Sequence, residues 1–130
     1  VKNRIAEYER SGIIRGYQAI LNEDQLELDR VTAVIEVKVT PEREGGFNRV
    51  SMRISRFPEV QSVYLMSGAY DLLLFVSGKD LKEVALFVSE KLATLDGVLS
   101  TSTHFMLKTY KQHGVLMEKE TEDERLQVSP

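Results

Sequence analysis

The chain holds 130 residues, 42% hydrophobic and 28% charged, the size and composition of one soluble globular domain that buries roughly two-thirds of its unfolded surface. It has no cysteine, which excludes disulfides and thiolate chemistry; His104 and His113 stand apart and make no metal site unaided; no apolar run approaches the ~20 residues that span a bilayer, so a cytoplasmic protein without membrane contact is expected. The net charge of −3 resides in residues 118–125, which carry five acids and two bases, while residues 1–117 balance at fifteen of each.

Val1, Ile5 and Tyr8 share one helical face, and Ser11-Gly12 ends that helix because glycine readily takes the left-handed conformation. Residues 1–16 carry Lys2, Arg4, Arg10 and Arg15 against Glu7 and Glu9, a mildly basic start. Tyr17, Ala19 and Leu21 alternate like a strand, and the polar stretch 22–29 reads as a linker. Val31, Ala33, Ile35, Val37 and Val39 then alternate with polar residues in a half-buried strand closed by Pro41. After Gly45-Gly46, Phe47, Val50, Ile54 and Phe57 mark one face of a helix that Pro58 stops.

Residues 60–66 read as a strand, 67–69 as a turn, and 70–76 as an apolar run suited to a central strand. Asp80 and Glu83 form the D-x-x-E start of a second helix, whose face is Leu81, Val84, Ala85, Val88, Leu92 and Leu95. The last strand, 98–111, puts Leu99, Thr101, Thr103, Phe105 and Leu107 on one face and Ser100, Ser102, His104, Met106 and Lys108 on the other. The acidic end has the composition of a solvated tail.

From residue 31 the order is β-α-β-β-α-β. This predicts an α+β, ferredoxin-like fold, a four-stranded antiparallel sheet with two helices on one face, preceded by a helix and a hinge strand. Nothing in the chain is left to cover the other sheet face, so a second copy is expected there.

Three segments now carry a family likeness. VKNRIAEYERSGIIRGYQAILN resembles the end of the recognition helix and the hinge strand of the Lrp/AsnC family, the leucine-responsive and feast/famine transcription regulators; the matching residues are Val1, Arg4-Ile5, Glu9, Gly12-Ile13-Ile14 and Gly16-Tyr17. SGAYDLLLFV resembles the family's G-x-Y-D turn, and VLSTSTHFMLKTYK its T-x-T-x-x-x-L-K strand. Each is loose alone; in order, over residues 1 to about 111, they are fairly specific.

The resemblance implies a transcriptional regulator, not an enzyme, with no cofactor. It implies duplex DNA as partner through a helix-turn-helix, homodimers assembled into tetramers or octamers, and an amino-acid effector bound between subunits. The boundaries that follow are 1–12 for the truncated end of the DNA-binding domain, 13–30 for the hinge strand and linker, 31–113 for the effector-binding and oligomerisation domain, and 114–130 for the tail. One departure stands out. Only the last helix of a helix-turn-helix is present and the chain begins at Val1 rather than Met, so upstream sequence is expected to be missing and operator binding to be poor.

The turn Ser67, Gly68, Ala69, Tyr70 and Asp71 has two readings. In one, Gly68 supplies a positive φ and Asp71 caps backbone amides. In the other, exposed amides near Gly68 take an amino acid's carboxylate while Asp71 pairs with its ammonium. Thr101 and Thr103, two apart, are either β-formers on a solvated surface or two hydroxyls that complete the ligand's contacts from a neighbouring chain. Lys2, Asn3 and Arg4 are either a solvated helix face or contacts to DNA phosphates.

Enzyme readings fare badly. There is no G-x-x-x-x-G-K loop, no cysteine nucleophile and no His–acid pair at useful spacing, and Arg43 beside two glutamates is a weak match to an acylphosphatase loop. The other class left open is a free-standing amino-acid-binding module that tunes a metabolic enzyme without touching DNA.

Overall fold

The computed structural model describes residues 2–22, 30–42 and 47–118. Val1, the Lys2 side chain, the linker 23–29, Arg43 with Gly45-Gly46, and the acidic stretch from Lys119 onward lie outside the described residues. Elements follow in the order α1 (Lys2–Ser11), β1 (Val31–Val39), α2 (Asn48–Ser55), β2 (Val60–Leu65), β3 (Leu72–Gly78), α3 (Leu81–Phe87, continued by a π-turn Val88–Leu92), β4 (Val98–Phe105), β5 (Lys111–Gln112) and β6 (Val115–Leu116). They divide into two compact units, one of residues 27–108 and one joining 1–26 to 109–130.

The larger unit is the ferredoxin-like arrangement read from the sequence. Its sheet has the order β2-β3-β1-β4, antiparallel throughout, with β1 and β3 in the middle. The alternation in β1 explains the layering: Ala33, Ile35, Val37 and Val39 are all buried, and their β3 partners Leu72, Leu74 and Val76 face the same way. Val50 and Ile54 of α2 and Val84, Phe87 and Leu92 of the second helical segment close the same core, so both helices lie on one face. The opposite face carries Val34, Glu36, Leu73, Phe75, Tyr64, Ser102 and His104, none of them fully buried.

Three details depart from the sequence reading. The last strand stops at Phe105 rather than 111 because β1 starts at Val31: Met106 N–H donates to Thr32 O at 2.9 Å, and beyond that no ladder partner remains. Leu107 is accordingly 95% exposed. Leu99, expected beside Thr101, is the extra residue of a bulge, since Ser100 pairs with Lys38 and Val98 with Val39; Val98 packs on the core and Leu99 faces outward.

The second helix follows its predicted cap and, at Val84, Val88, Leu92 and Leu95, its predicted face, but not at Leu81 and Ala85. Asp80 Oδ1 accepts from Glu83 N–H and Glu83 Oε2 accepts from Lys79 N–H, both at 2.8 Å. Past Phe87 the helix widens into a π-turn, with Ala93 N–H donating to Val88 O at 2.7 Å. The extra residue per turn lets Phe87 and Leu92, five apart, both point inward, while Leu81 and Ala85 stay exposed. Phe87 meets Phe57 edge to face at 5.5 Å.

In the smaller unit α1 ends as predicted. Gly12 sits at φ +83°, and Ile14 N–H closes the helix end on Tyr8 O at 3.0 Å. Of residues 13–30, read as hinge strand and linker, the described residues 13–22 find no ladder partner among the described residues. β5 and β6 form a hairpin whose two turn residues, His113 at φ 49° and Gly114 at φ 81°, give the mirror-image turn that suits tight hairpins. Among the described residues no helix is long and apolar enough to cross a membrane.

Candidate functional site

The β2–β3 connection is where the sequence placed its strongest candidate. Leu65 pairs with Leu72, and Met66 N–H donates to Asp71 O at 2.9 Å, which closes the hairpin and leaves 67–70 as its tip. Gly68 takes φ +117°, and a Cβ built on it would meet nothing within 4 Å. Ser67, Gly68 and Ala69 are exposed; Tyr70 and Asp71 are half-buried.

Asp71 ties this tip to the neighbouring strand. Its N–H donates to Val37 O at 3.1 Å, and its carboxylate Oδ2 accepts from Val39 N–H at 2.9 Å. The cap expected of Asp71 is therefore present, directed at the end of β1. Oδ1 has no hydrogen-bond partner among the described residues. The result is a turn held in one shape by a charged acceptor at its base, with its backbone open to solvent at its tip.

Thr101 and Thr103 belong to the edge strand β4, paired with Val37 and Ile35. Paired residues in an antiparallel ladder share a face, so both hydroxyls lie on the helix-covered side, half-buried, rather than on a solvated surface. Leu72, Val37 and Thr101 form one row across three strands, which puts Thr101 two strand spacings, about 10 Å, from the base of the turn. Both groups thus sit at the same end of the sheet, with the Asp71 carboxylate reaching the intervening strand β1.

Asn3 and Arg4 are exposed on α1 in the other unit. That unit contains a cavity of about 250 Å³ lined by Gln18, Ala19, Ile20, Leu21, Gln112 and His113. None of the candidate residues lines it, and it falls below the roughly 300–1,000 Å³ usual for ligand pockets.

Two polar groupings escaped the sequence reading. On the open sheet face His104 Nε2 lies 3.1 Å from Glu36 Oε2 and 3.4 Å from Ser102 Oγ; two of these are one β4 alternation apart, but Glu36 needs the β1–β4 register to be found. Beside the π-turn, Lys91 Nζ donates to Glu59 Oε2 at 2.7 Å, and this hydrogen bond holds the Glu59 carboxyl below its ordinary value against the opposing effect of burial. Among the described residues no cluster of His, Cys, Asp or Glu could hold a metal ion.

Comparison with known proteins adds identity to this geometry. Residues 32–116 match the model of the Lrp/AsnC ligand binding domain. The whole chain is similar, at 49% identity, to the uncharacterized HTH-type transcriptional regulator YugG of Bacillus subtilis, of which it spans 79%. It is 33% identical over 83% of its length to the proline dehydrogenase transcriptional activator of Rhodobacter capsulatus, covering 70% of that protein. Among solved structures, a transcriptional regulator of Neisseria meningitidis, determined as an L-Met complex, superposes with a TM-score of 0.64 at 29% identity, over 88% of this chain and 73% of the other.

Proposed function

The chain belongs to the Lrp/AsnC family of transcriptional regulators, and from that premise we propose that it senses an amino acid at a contact between subunits. Exposed amides of Ser67, Gly68 and Ala69 receive the effector's carboxylate, Tyr70 flanks its side chain, and Asp71 Oδ1 receives its ammonium while Oδ2 keeps the turn in shape. Thr101 and Thr103 of a neighbouring copy complete the polar contacts.

The observation that carries the reading is the Asp71 tether. It fixes a hairpin tip whose amides make no hydrogen bond among the described residues, and preorganised donors are what a zwitterion needs. The Neisseria meningitidis neighbour bound to L-Met makes methionine the first effector to try.

The proposed output is linkage. Two copies stack through the open sheet face into dimers, dimers join into tetramers or octamers, and the effector favours one arrangement over another. That changes how DNA-binding heads are spaced, and so their hold on duplex DNA in the cytoplasm. Lys2, Asn3 and Arg4 serve there as phosphate contacts. The regulators among its relatives favour this reading over a free-standing module that touches no DNA.

Thermal unfolding of the chain against the standard amino acids at millimolar concentration tests the sensor. A ligand present at ~100 times its dissociation constant adds about 2.7 kcal/mol, a rise of several degrees. We expect one clear responder, with Thr101→Val weakening it by calorimetry and leaving the fold intact. A panel with no responder, or unchanged affinity in Thr101→Val, rejects the site as drawn.

A further inference from the structure

Helix α2 presents a face that neither the core nor the effector site uses. Val50 and Ile54 turn inward, and Arg49, Arg53 and Arg56, spaced four and three apart, line the outward side, all exposed. At 1.5 Å per residue the strip is about 10 Å long. The helix contains no acidic residue, has no acid in its first turn and lacks a side-chain N-cap.

That arrangement works against the helix itself. Like charges four apart repel, and Arg49 sits at the positive end of the helix dipole, where an acid would serve better. Arg53 and Arg56 near the C-terminus suit the dipole, but that leaves Arg49 and the missing acids unaccounted for. Among the described residues, nearby carboxylates neutralise the strip only in part. Glu59, three residues past Arg56, is taken by Lys91 at 2.7 Å, and Glu42 reaches Arg49 only at 3.9 Å, with the arginine side chain 78% exposed. The companion helix is different: Asp80, Glu83 and Glu90 alternate with Lys82 and Lys91, and its N-terminus is capped.

We propose that Arg49, Arg53 and Arg56 form a contact strip for the phosphate backbone of duplex DNA on the regulatory unit itself, separate from Lys2–Arg4 of α1. The chemistry fits. Guanidinium groups are the side chains best matched to phosphate oxygens, and a ~10 Å row meets more than one phosphate of a strand whose phosphates advance about 3.4 Å along the axis. Such contacts hold DNA without reading it. The proposal rests on the reading of the chain as a DNA-bound regulator, and it is independent of the effector site.

The test titrates a fluorescent duplex of arbitrary sequence with the chain and follows anisotropy across a series of salt concentrations. Log affinity should fall linearly with log salt. The triple variant Arg49→Gln/Arg53→Gln/Arg56→Gln should lose affinity at least tenfold at low salt and up to about 2.7 of the slope, about 0.9 per contact removed. Arg53→Lys/Arg56→Lys should keep most of the slope. Lys2→Gln/Arg4→Gln should leave the α2 share in place. Thermal unfolding of each variant confirms folding. Three outcomes overturn the proposal: no binding by the parent, an unchanged slope in the triple variant, or loss of the whole slope in the α1 variant. A change in oligomer size with the triple variant and none in DNA affinity would assign the strip to another copy of the chain instead. The effector panel above reads a different property, so either reading can fail alone.

Discussion

The two faces of the sheet are cut from the same strands and end in different states. On the helix side Ala33, Ile35, Leu74 and Val76 are 0% exposed, in one core cluster with Val50 and Ile54 of α2 and Val84, Phe87 and Leu92 of the second helical segment. On the other side Val34, Leu73 and Phe75 stop at half-burial, and Tyr64, stacked edge-on against Phe75 at 6.1 Å, remains 52% exposed. The alternation that writes the first face writes the second one residue out of step. The chain therefore completes its core alone but carries a second apolar surface that it does not fill, rimmed by Glu36, Ser102 and His104.

Substitutions on the two faces should separate in kind. Leu74→Ala or Ile54→Ala removes a fully buried side chain and should cost about 2–5 kcal/mol in urea unfolding. Leu73→Ala, one residue along on the open face, should cost on the order of 1 kcal/mol within the chain. If a second copy covers that face, sedimentation should show Leu73→Ala weakening self-association by about tenfold or more. An open-face variant as destabilising as Leu74→Ala, with no change in assembly, would erase the distinction.

Two glycines sharpen the same contrast between packed and open surroundings. Gly97 at φ +94° ends the π-turned helix, and a Cβ there would stand 2.8 Å from Val50 Cγ2. Gly68 at φ +117° faces open space. Gly97→Ala carries both strain and overlap, about 2 kcal/mol or more, whereas Gly68→Ala carries backbone strain alone, about 1 kcal/mol. Equal losses in urea unfolding would mean that Val50 moves aside freely.

Much of this was legible in the chain. The period-2 run from Val31 to Val39 and the 3-4-3 spacing of Phe47, Val50, Ile54 and Phe57 fixed layers and order, because one buried face is enough to write the pattern. What escaped depended on register or on local deviations. The bulge that turns Leu99 outward and the π-turn that swings Phe87 inward each insert one residue, which no repeating pattern announces. At the candidate site, the Gly68 turn and the Asp71 cap were readable from residue type. The side on which Thr101 and Thr103 lie was not: alternation says that they share a face, and only their pairing with Val37 and Ile35 says which. The arginine strip was visible as spacing alone, but only the structure shows that the nearby Glu59 belongs to Lys91.

That last pair gives the smallest and most easily signed effect, and it bears on the helix side of the comparison. Glu59 is depressed below its ordinary 4.5 chiefly by the hydrogen bond from Lys91. A group depressed in the folded state adds stability that is full above its unfolded value and disappears as pH falls through the lower folded value. Acid should therefore weaken the fold below about pH 4.5 partly through this carboxylate. Lys91 is half-exposed, so screening holds the pair to roughly 0.5 kcal/mol, and the buried, unpartnered Glu59 Oε1 subtracts from it. Lys91→Met should flatten the acid limb of the stability profile and lower stability at neutral pH by no more than that amount. A steeper limb in the variant would mean that Lys91 is not what holds this carboxylate below its ordinary value.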